Sequence, residues 1–392
     1  MTRTSFTQAR MVEAGASYIV YKSGLNIKSR NCDTGAVECV NTDASTVIQS
    51  AMDALFEDRG GMLCIKEGLY TITSKLNMYA DKTSWRPLWV RGSGILSTRL
   101  RLDDSADCDI FEFDVSAAND DGFKLISDMR LDGNKANNAA GSGIVTANTG
   151  GGSLYDFAVD RVYASDFSDD CIEIVDGWGV RLTDILVEGG DASGLYMNGN
   201  QMYANKIFSA YNGDDAIELR GTDCVFGMLY AYNNAKHGIN VSNLDHSVLT
   251  GIHVRDWGSL AVDTYHGLYI GDASTYNSFA GVNVYGDGTG NCYRGLSVYG
   301  HNNVLTGCLS QGCSDNNLHM IGDENQVDGC FQDSIGDAGD RNLINGMGTN
   351  AGIPGAAGDW TAVVRKGAIV RDETNNKTYI YAGGGWREIS AT

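Results

Sequence analysis

Proline is almost missing from this chain, with 2 residues in 392. Set beside 50 glycines, that scarcity excludes collagen-like and Pro-rich linker architectures, which need both residues in abundance. No apolar run approaches the ~18 residues of a membrane-spanning helix. Positive charge is also short: 29 Lys and Arg stand against 49 Asp and Glu, a net charge of −20. So acidic a chain suits neither nucleic-acid phosphates nor an anionic membrane surface, and neither nucleic-acid binding nor membrane insertion is expected. Residues 1–10 lack the apolar core of a secretory signal. The expectation is an extracellular protein whose signal has been removed, or a virion component. The 10 cysteines include no zinc-type C-x-x-C pair. Cys64, Cys108, Cys171 and Cys224 lie singly in apolar strand contexts, as small buried thiols do. Cys32 and Cys39 flank Asp33-Thr34-Gly35-Ala36 and are spaced for a hairpin disulfide.

What the chain does contain is a repeat. A small–apolar–x–apolar motif recurs at Gly143, Cys171, Gly194, Ala216, Gly238, Gly267, Gly295 and Asn317, at steps of 22 to 29 residues. A second short strand follows it, starting at Ile185, Ile207, Leu229, Ile252, Val282, Cys308 and Cys330, with turn residues such as Asn212-Gly213 and Asn233-Asn234 after it. Two or three strands per ~22 residues without a helical period indicate the rungs of a parallel β-helix. A leucine-rich repeat would need a frame that is missing, and a propeller blade needs about twice the period.

The flanks agree. Thr42 or Asp43 can cap a helix whose Val47, Ile48, Ala51 and Leu55 share one face, covering the open end of a solenoid. The expected organisation is an arm and hairpin over 1–40, a capping helix and parallel β-helix over 41–346, and a linker with a small C-terminal β module over 347–392. The linker is Gly352 to Gly358.

The helix followed by Gly60-Gly61 … Gly68-Leu69-Tyr70 resembles the pectin-lyase-like superfamily of right-handed β-helices, over roughly residues 38–335. The resemblance implies fold more than reaction, because that superfamily holds lyases, hydrolases, epimerases and viral tailspikes. The C-terminal strands look like the terminal modules of phage tail-fibre proteins.

Stacked rungs convert sequence repeats into columns of side chains ~4.8 Å apart. Alternation sends both apolar positions of each motif inward and the residue between them outward. The outward column reads Val145, Glu173, Tyr196, Glu218, Asn240, Tyr269, Ser297 and His319. The position before the small residue reads Ser142, Asp170, Ser193, Asp215, His237, His266, Arg294 and Asn316. So many titratable groups on one stripe suggest a functional groove.

Asn212-Gly-Asp-Asp-Ala-Ile-Glu-Leu, followed one rung later by Lys236-His-Gly-Ile, resembles the polygalacturonase family of inverting glycoside hydrolases. The resemblance implies catalytic roles for Asp214 and Asp215 of the paired carboxylates and for His237 of the GHG match. Asp191, in Gly189-Gly190-Asp191, stands loosely where that family has its NTD. The family's RIK motif has no clear counterpart, so galacturonate is not implied as the sugar. Inverting hydrolysis needs one protonated carboxyl and one carboxylate that activates water. Asp170 with Asp215, or Glu173 with Glu218, two rungs apart, form a second candidate couple. Asp170, Glu173, Tyr196, Glu218, Asn240, His266, Tyr269 and Arg294 are expected to bind the substrate, a polysaccharide or oligosaccharide.

Two rivals remain open. A lyase acting on a uronate glycan could use His237, His266, Tyr269 and Arg294. A glycan-binding tailspike, typically a homotrimer, need not cut at all. No cofactor is expected; the ion with oxygen ligands on offer is Ca²⁺, at Asp166, Asp169 and Asp170.

Overall fold

The computed structural model describes residues 15–57, 60–78, 86–114, 121–147, 154–261, 264–286 and 292–329, with short strands between 331 and 389. The linker 352–358 lies outside the described residues. Two compact units divide the chain, one up to Val187 and one from Glu188. Among the described residues there is one helix, α1 (Ala44–Glu57), and the other regular elements are strands.

The first unit opens with an antiparallel meander, Tyr18–Ser23, Asn26–Asn31 and Val37–Asn41. The hairpin between the last two strands is present, but Cys32 and Cys39 are free thiols. Register explains the missing disulfide. Cys39 stands opposite Ser29, while Cys32 lies beyond its strand and packs against Ala16, Ile19 and Cys64.

Of the two candidate caps, Asp43 holds α1, since its carboxylate accepts the Thr46 N–H at 2.9 Å. Val47, Ile48, Ala51 and Leu55 are at most 2% exposed. Behind the helix, Gly60 has φ of 79° and a Cβ there would meet the Pro87 carbonyl at 2.2 Å. Only glycine fits both conditions. Gly61–Ile65 pairs in parallel with Leu88–Gly92, which pairs with Lys124–Asp132, which pairs with Ala158–Ser165. On the other wall Phe111–Asp114 pairs with Ile144–Ala147, placing Ile144 beside Ile172.

In the second unit one wall stacks Leu195–Asn200, Ile217–Thr222, Ile239–Asp245, His266–Ile270, Arg294–Val298 and Leu318–Met320, all in parallel. The registers Leu195↔Ile217↔Ile239↔Leu268↔Leu296↔Leu318 are those of the repeat alignment. The inward columns form the core: Leu195, Ile217, Ile239, Leu268, Leu296 and Leu318, with Met197, Leu219, Val241, Ile270, Val298 and Met320, are all at most 1% exposed.

The glycines before the inward strands serve a different purpose from the bends such a position suggests. None of Gly194, Gly238, Gly267 and Gly295 has positive φ. A Cβ on Gly238 would lie 2.2 Å from Val254 Cγ1, and one on Gly267 would lie 2.3 Å from Val284 Cγ1. The opposite wall approaches too closely for a side chain there, although Ala216 occupies the equivalent position one rung earlier. The bends belong to other corners, where Lys206, Met228, Gly251, Gly281 and Gly307 all have φ of 53–64°.

Buried asparagines staple the rungs at one corner. Asn303 Oδ1 accepts the Asn277 N–H at 3.0 Å, Asn325 Oδ1 accepts the Asn303 N–H at 2.9 Å, and Asn342 Oδ1 accepts the Asn325 N–H at 2.8 Å. A shorter ladder joins Asn212 to Asn234. Further along, Ile369–Asp372, Lys377–Tyr381 and Trp386–Ile389 pair antiparallel.

Candidate functional site

The strongest cluster lies in the second unit, on the wall strands Ile217–Thr222, Ile239–Asp245, His266–Ile270 and Arg294–Val298. The motif column before the small residue was expected, with the outward column, to form part of a functional groove. Of its members, Ser193, Asp215 and His266 are 6%, 4% and 6% exposed. The Asp215 and His266 side chains bond to neighbouring rungs and so lie along the wall.

Asp215 shows how. Its Oδ1 accepts the backbone N–H of His237 at 2.8 Å, and its Oδ2 accepts the Asn240 side-chain N–H at 2.7 Å. Asn240 in turn accepts from the Ser242 hydroxyl. Burial raises the Asp215 carboxyl to a pKa of about 6, outweighing these two hydrogen bonds; Asp214 raises it further and Lys236 opposes. Asp214 is half-exposed and ion-paired to Lys236 Nζ at 2.6 Å. A buried carboxyl that holds its proton into the acidic range thus adjoins a carboxylate paired to an ammonium.

His237 comes next. Its Nδ1 accepts the backbone N–H of His266 at 3.0 Å, so in the neutral ring Nε2 carries the proton. Burial lowers its pKa to about 4 and that of His266 to about 3, the latter also disfavoured by His237 and Arg294. Both rings are therefore neutral at pH 7. His237, His266 and Tyr269 stack, with centroids 5.0–5.5 Å apart and planes within 18°. Tyr265 meets His237 edge-on at 5.3 Å, and Tyr299 lies 5.3 Å from Tyr269. Burial raises the Tyr269 phenol, with Asp272 and Tyr299 adding to it. Arg294 donates to Asp315 at 2.7 Å, to Tyr293 at 3.0 Å and to Tyr299 at 3.3 Å. Its charge is thus largely committed within the protein.

Solved structures resemble this architecture. The A-module of mannuronan C-5 epimerase AlgE6 from Azotobacter vinelandii is 18% identical with a TM-score of 0.54, covering 78% of this chain and 90% of that one. The Dettilon tailspike protein is 11% identical with a TM-score of 0.57, covering 87% of this chain and 73% of that one. The enzymatically active domain of bacteriophage CBA120 tailspike protein 2 is 14% identical with a TM-score of 0.55, over 86% of this chain and 51% of that one. The chain shares the parallel β-helix fold of these structures. No family model matches it, and no curated protein does.

Within this β-helix the residues singled out from sequence divide clearly. Asp214, Asp215, His237, Asn240, His266, Tyr269 and Arg294 gather through the contacts above. Tyr196, Glu218, Asn240 and Tyr269 occupy one register column. Two of its members have partners beside them. Glu218 accepts from Arg220 at 2.8 Å and Arg220 covers the Tyr196 ring at 5.4 Å; burial raises Glu218 although Arg220 lowers it. Asp191 is exposed, beside Gly213 whose N–H bonds Gly190. Asp170 and Glu173 belong to the first unit, where both are half-buried. There burial, then Asp109 and Asp169, raise Glu173. Asp166 has a left-handed φ of 57° and Asp169 accepts the Gly141 N–H. Among the described residues no three His, Cys, Asp or Glu side chains gather to hold a metal.

Sequence reasoning missed Lys236, Tyr265, Tyr293, Tyr299 and Asp315. A signal was available, because the long repeat steps place extra residues just before His266 and Arg294. Insertions in a solenoid map to loops on one face, often the binding face.

Proposed function

We propose that the second unit carries a polysaccharide-active site that hydrolyses glycosidic bonds. One observation carries this reading: Asp215, buried and raised to about 6, beside the ion-paired Asp214. Environments that set neighbouring carboxyl groups apart assign acid and base roles. Asp215 donates its proton to the leaving oxygen. Asp214, with Asp191 on the preceding rung, supplies the carboxylate that activates water. His237, held with its proton on Nε2, donates a hydrogen bond to a sugar hydroxyl, and the ring wall of Tyr265, Tyr269 and Tyr299 offers apolar surface to sugar faces. The names of the structural neighbours, a mannuronan epimerase and tailspikes, support a polysaccharide as substrate and a virion-borne setting; a homotrimer belongs to the same proposal. Sedimentation of the full chain reads the trimer directly.

Asp215→Asn should lower depolymerisation of a cleavable glycan by about 10²–10⁴-fold, the usual share of a general acid. Reducing-end release from a panel of neutral and acidic polysaccharides measures this, and unchanged release removes the assignment.

The stacked His237, His266 and Tyr269 beside Arg294 favour a second reading, proton abstraction next to a uronate carboxylate followed by elimination. Imidazoles with pKa values near 3–4 are weak bases for such a proton, which places this reading second. Ultraviolet-absorbing unsaturated ends among the products would reverse the order.

A further inference from the structure

The first unit holds a cluster that the hydrolytic reading does not use. Strand Thr98–Leu102 carries Arg99 and Arg101 on its outer face, two residues apart, while Leu100 and Leu102 lie in the core. The next rung, Lys124–Asp132, sets Arg130 beside Arg99 and Asp132 beside Arg101. Neighbouring rungs are ~4.8 Å apart, so four charged side chains form a tight square with three guanidinium groups and one carboxylate. Asp132 is 2% exposed and ion-paired to Arg99.

In a chain with a net charge of −20, an excess of positive charge packed this closely runs against the overall balance. Like charges so near one another repel. The hydrogen bonds available do not use up the donors. Arg101 donates an Nη2–H to Asn134 and Arg130 donates an Nη2–H to Ser165 at 3.0 Å. The Nε–H groups of Arg99, Arg101 and Arg130 are all buried and have no acceptor. The Arg130 guanidinium also lies over the Tyr163 ring, 4.4 Å from its centroid, a contact that favours one placement of the side chain. A planar guanidinium group next to two others, with more donors than the protein has acceptors, matches an oxyanion.

We propose that Arg99, Arg101 and Arg130 form a binding site for an oxyanion, the carboxylate or sulfate group of an acidic glycan. The anion sits over the exposed guanidinium ends and offsets their mutual repulsion. Asp132 fixes Arg99 from behind. The site is independent of the hydrolytic assignment, since none of its residues takes part in that chemistry.

Calorimetric titration of the full chain tests this with three probes: sodium sulfate, a uronic-acid oligosaccharide and a neutral oligosaccharide. Sulfate and the uronic-acid oligosaccharide should bind, the neutral one should not at this site, and added chloride should weaken both. A glycan source predicts tighter binding of the oligosaccharide than of sulfate, whereas a free-anion source predicts the reverse. The double variant Arg101→Gln/Arg130→Gln should weaken either interaction at least tenfold. Thermal unfolding separates a site from a merely structural cluster. Sulfate raises the midpoint of any protein by exclusion from its surface, so the wild-type rise must exceed that of the variant at matched ionic strength. A variant that starts from a similar or higher midpoint in chloride, and loses the extra rise, supports the site. Equal binding by both proteins, or no binding of either anion, overturns it.

Discussion

Acid should destabilise this protein through two histidines, by an amount the site geometry sets. His266 has a pKa of about 3 and His237 of about 4 in the native state, against ~6.5 for an unfolded imidazole. A base whose native pKa is depressed contributes its full stability above pH 6.5 and loses it as pH falls toward the native value. Between pH 7 and pH 4 the unfolded chain protonates both imidazoles, while native His266 stays mostly neutral and His237 is half-titrated. Each mismatch removes about 3 kcal/mol, or about 6 kcal/mol together. Asp215 works in the opposite sense. Its native pKa of about 6 exceeds that of an unfolded carboxyl, so it binds a proton first and returns about 2 kcal/mol by pH 4. The histidines win, with a net loss of about 4 kcal/mol, a large share of the usual 5–15 kcal/mol of folding stability. Urea unfolding followed by tryptophan fluorescence, at pH 7 and pH 4, measures it. His266→Asn keeps a polar atom near Ser297 and removes the titrating ring. Its pH 7-to-4 loss should be smaller than that of the wild type by about 3 kcal/mol, whatever the fixed cost of the substitution. Equal losses in the two proteins would refute the reasoning.

Two further outcomes follow from the packing. Gly238→Ala should destabilise by about 1–3 kcal/mol, since its Cβ would overlap Val254 and the Gly267 carbonyl; a thermal scan reads the shift. Asn303→Ala strips acceptors from both the Asn277 N–H and its side-chain amide, and the donor to the Ser274 carbonyl. Leaving buried groups unpaired costs about 1–3 kcal/mol each, so the Asn277 amide proton should also exchange measurably faster.

Much of the architecture was readable because a parallel β-helix translates sequence period into space. Once Ile217 aligns with Ile239 and Leu268, every neighbouring column follows, and the structure repeats those registers residue for residue. The gathering of Asp214, Asp215, His237, His266 and Arg294 was readable for the same reason. The first unit was less so. Arg99 and Arg130 are adjacent only because of loops that break the 22-residue step, so no alignment of short motifs brings them together. Cys32 and Cys39 show the limit from the other side, since symmetric spacing about a turn says nothing of the register that parts them.

The sequence by itself determined that this chain stacks into a parallel β-helix with a stripe of titratable groups, because alternation and period are local properties of the chain. Only the tertiary structure decided what those groups are. Burial turned Asp215 into a carboxyl that keeps its proton up to about pH 6, and the His266 backbone N–H chose the tautomer of His237. Tyr265 and Tyr293 entered the site from the segments just before the rung strands, and Tyr299 from just after one. Desolvation and hydrogen-bond partners depend on what packs from neighbouring rungs, and no single stretch of sequence contains that information. Proline's scarcity has the same origin, for each rung must offer its N–H groups to the next, and a residue without one breaks the stack.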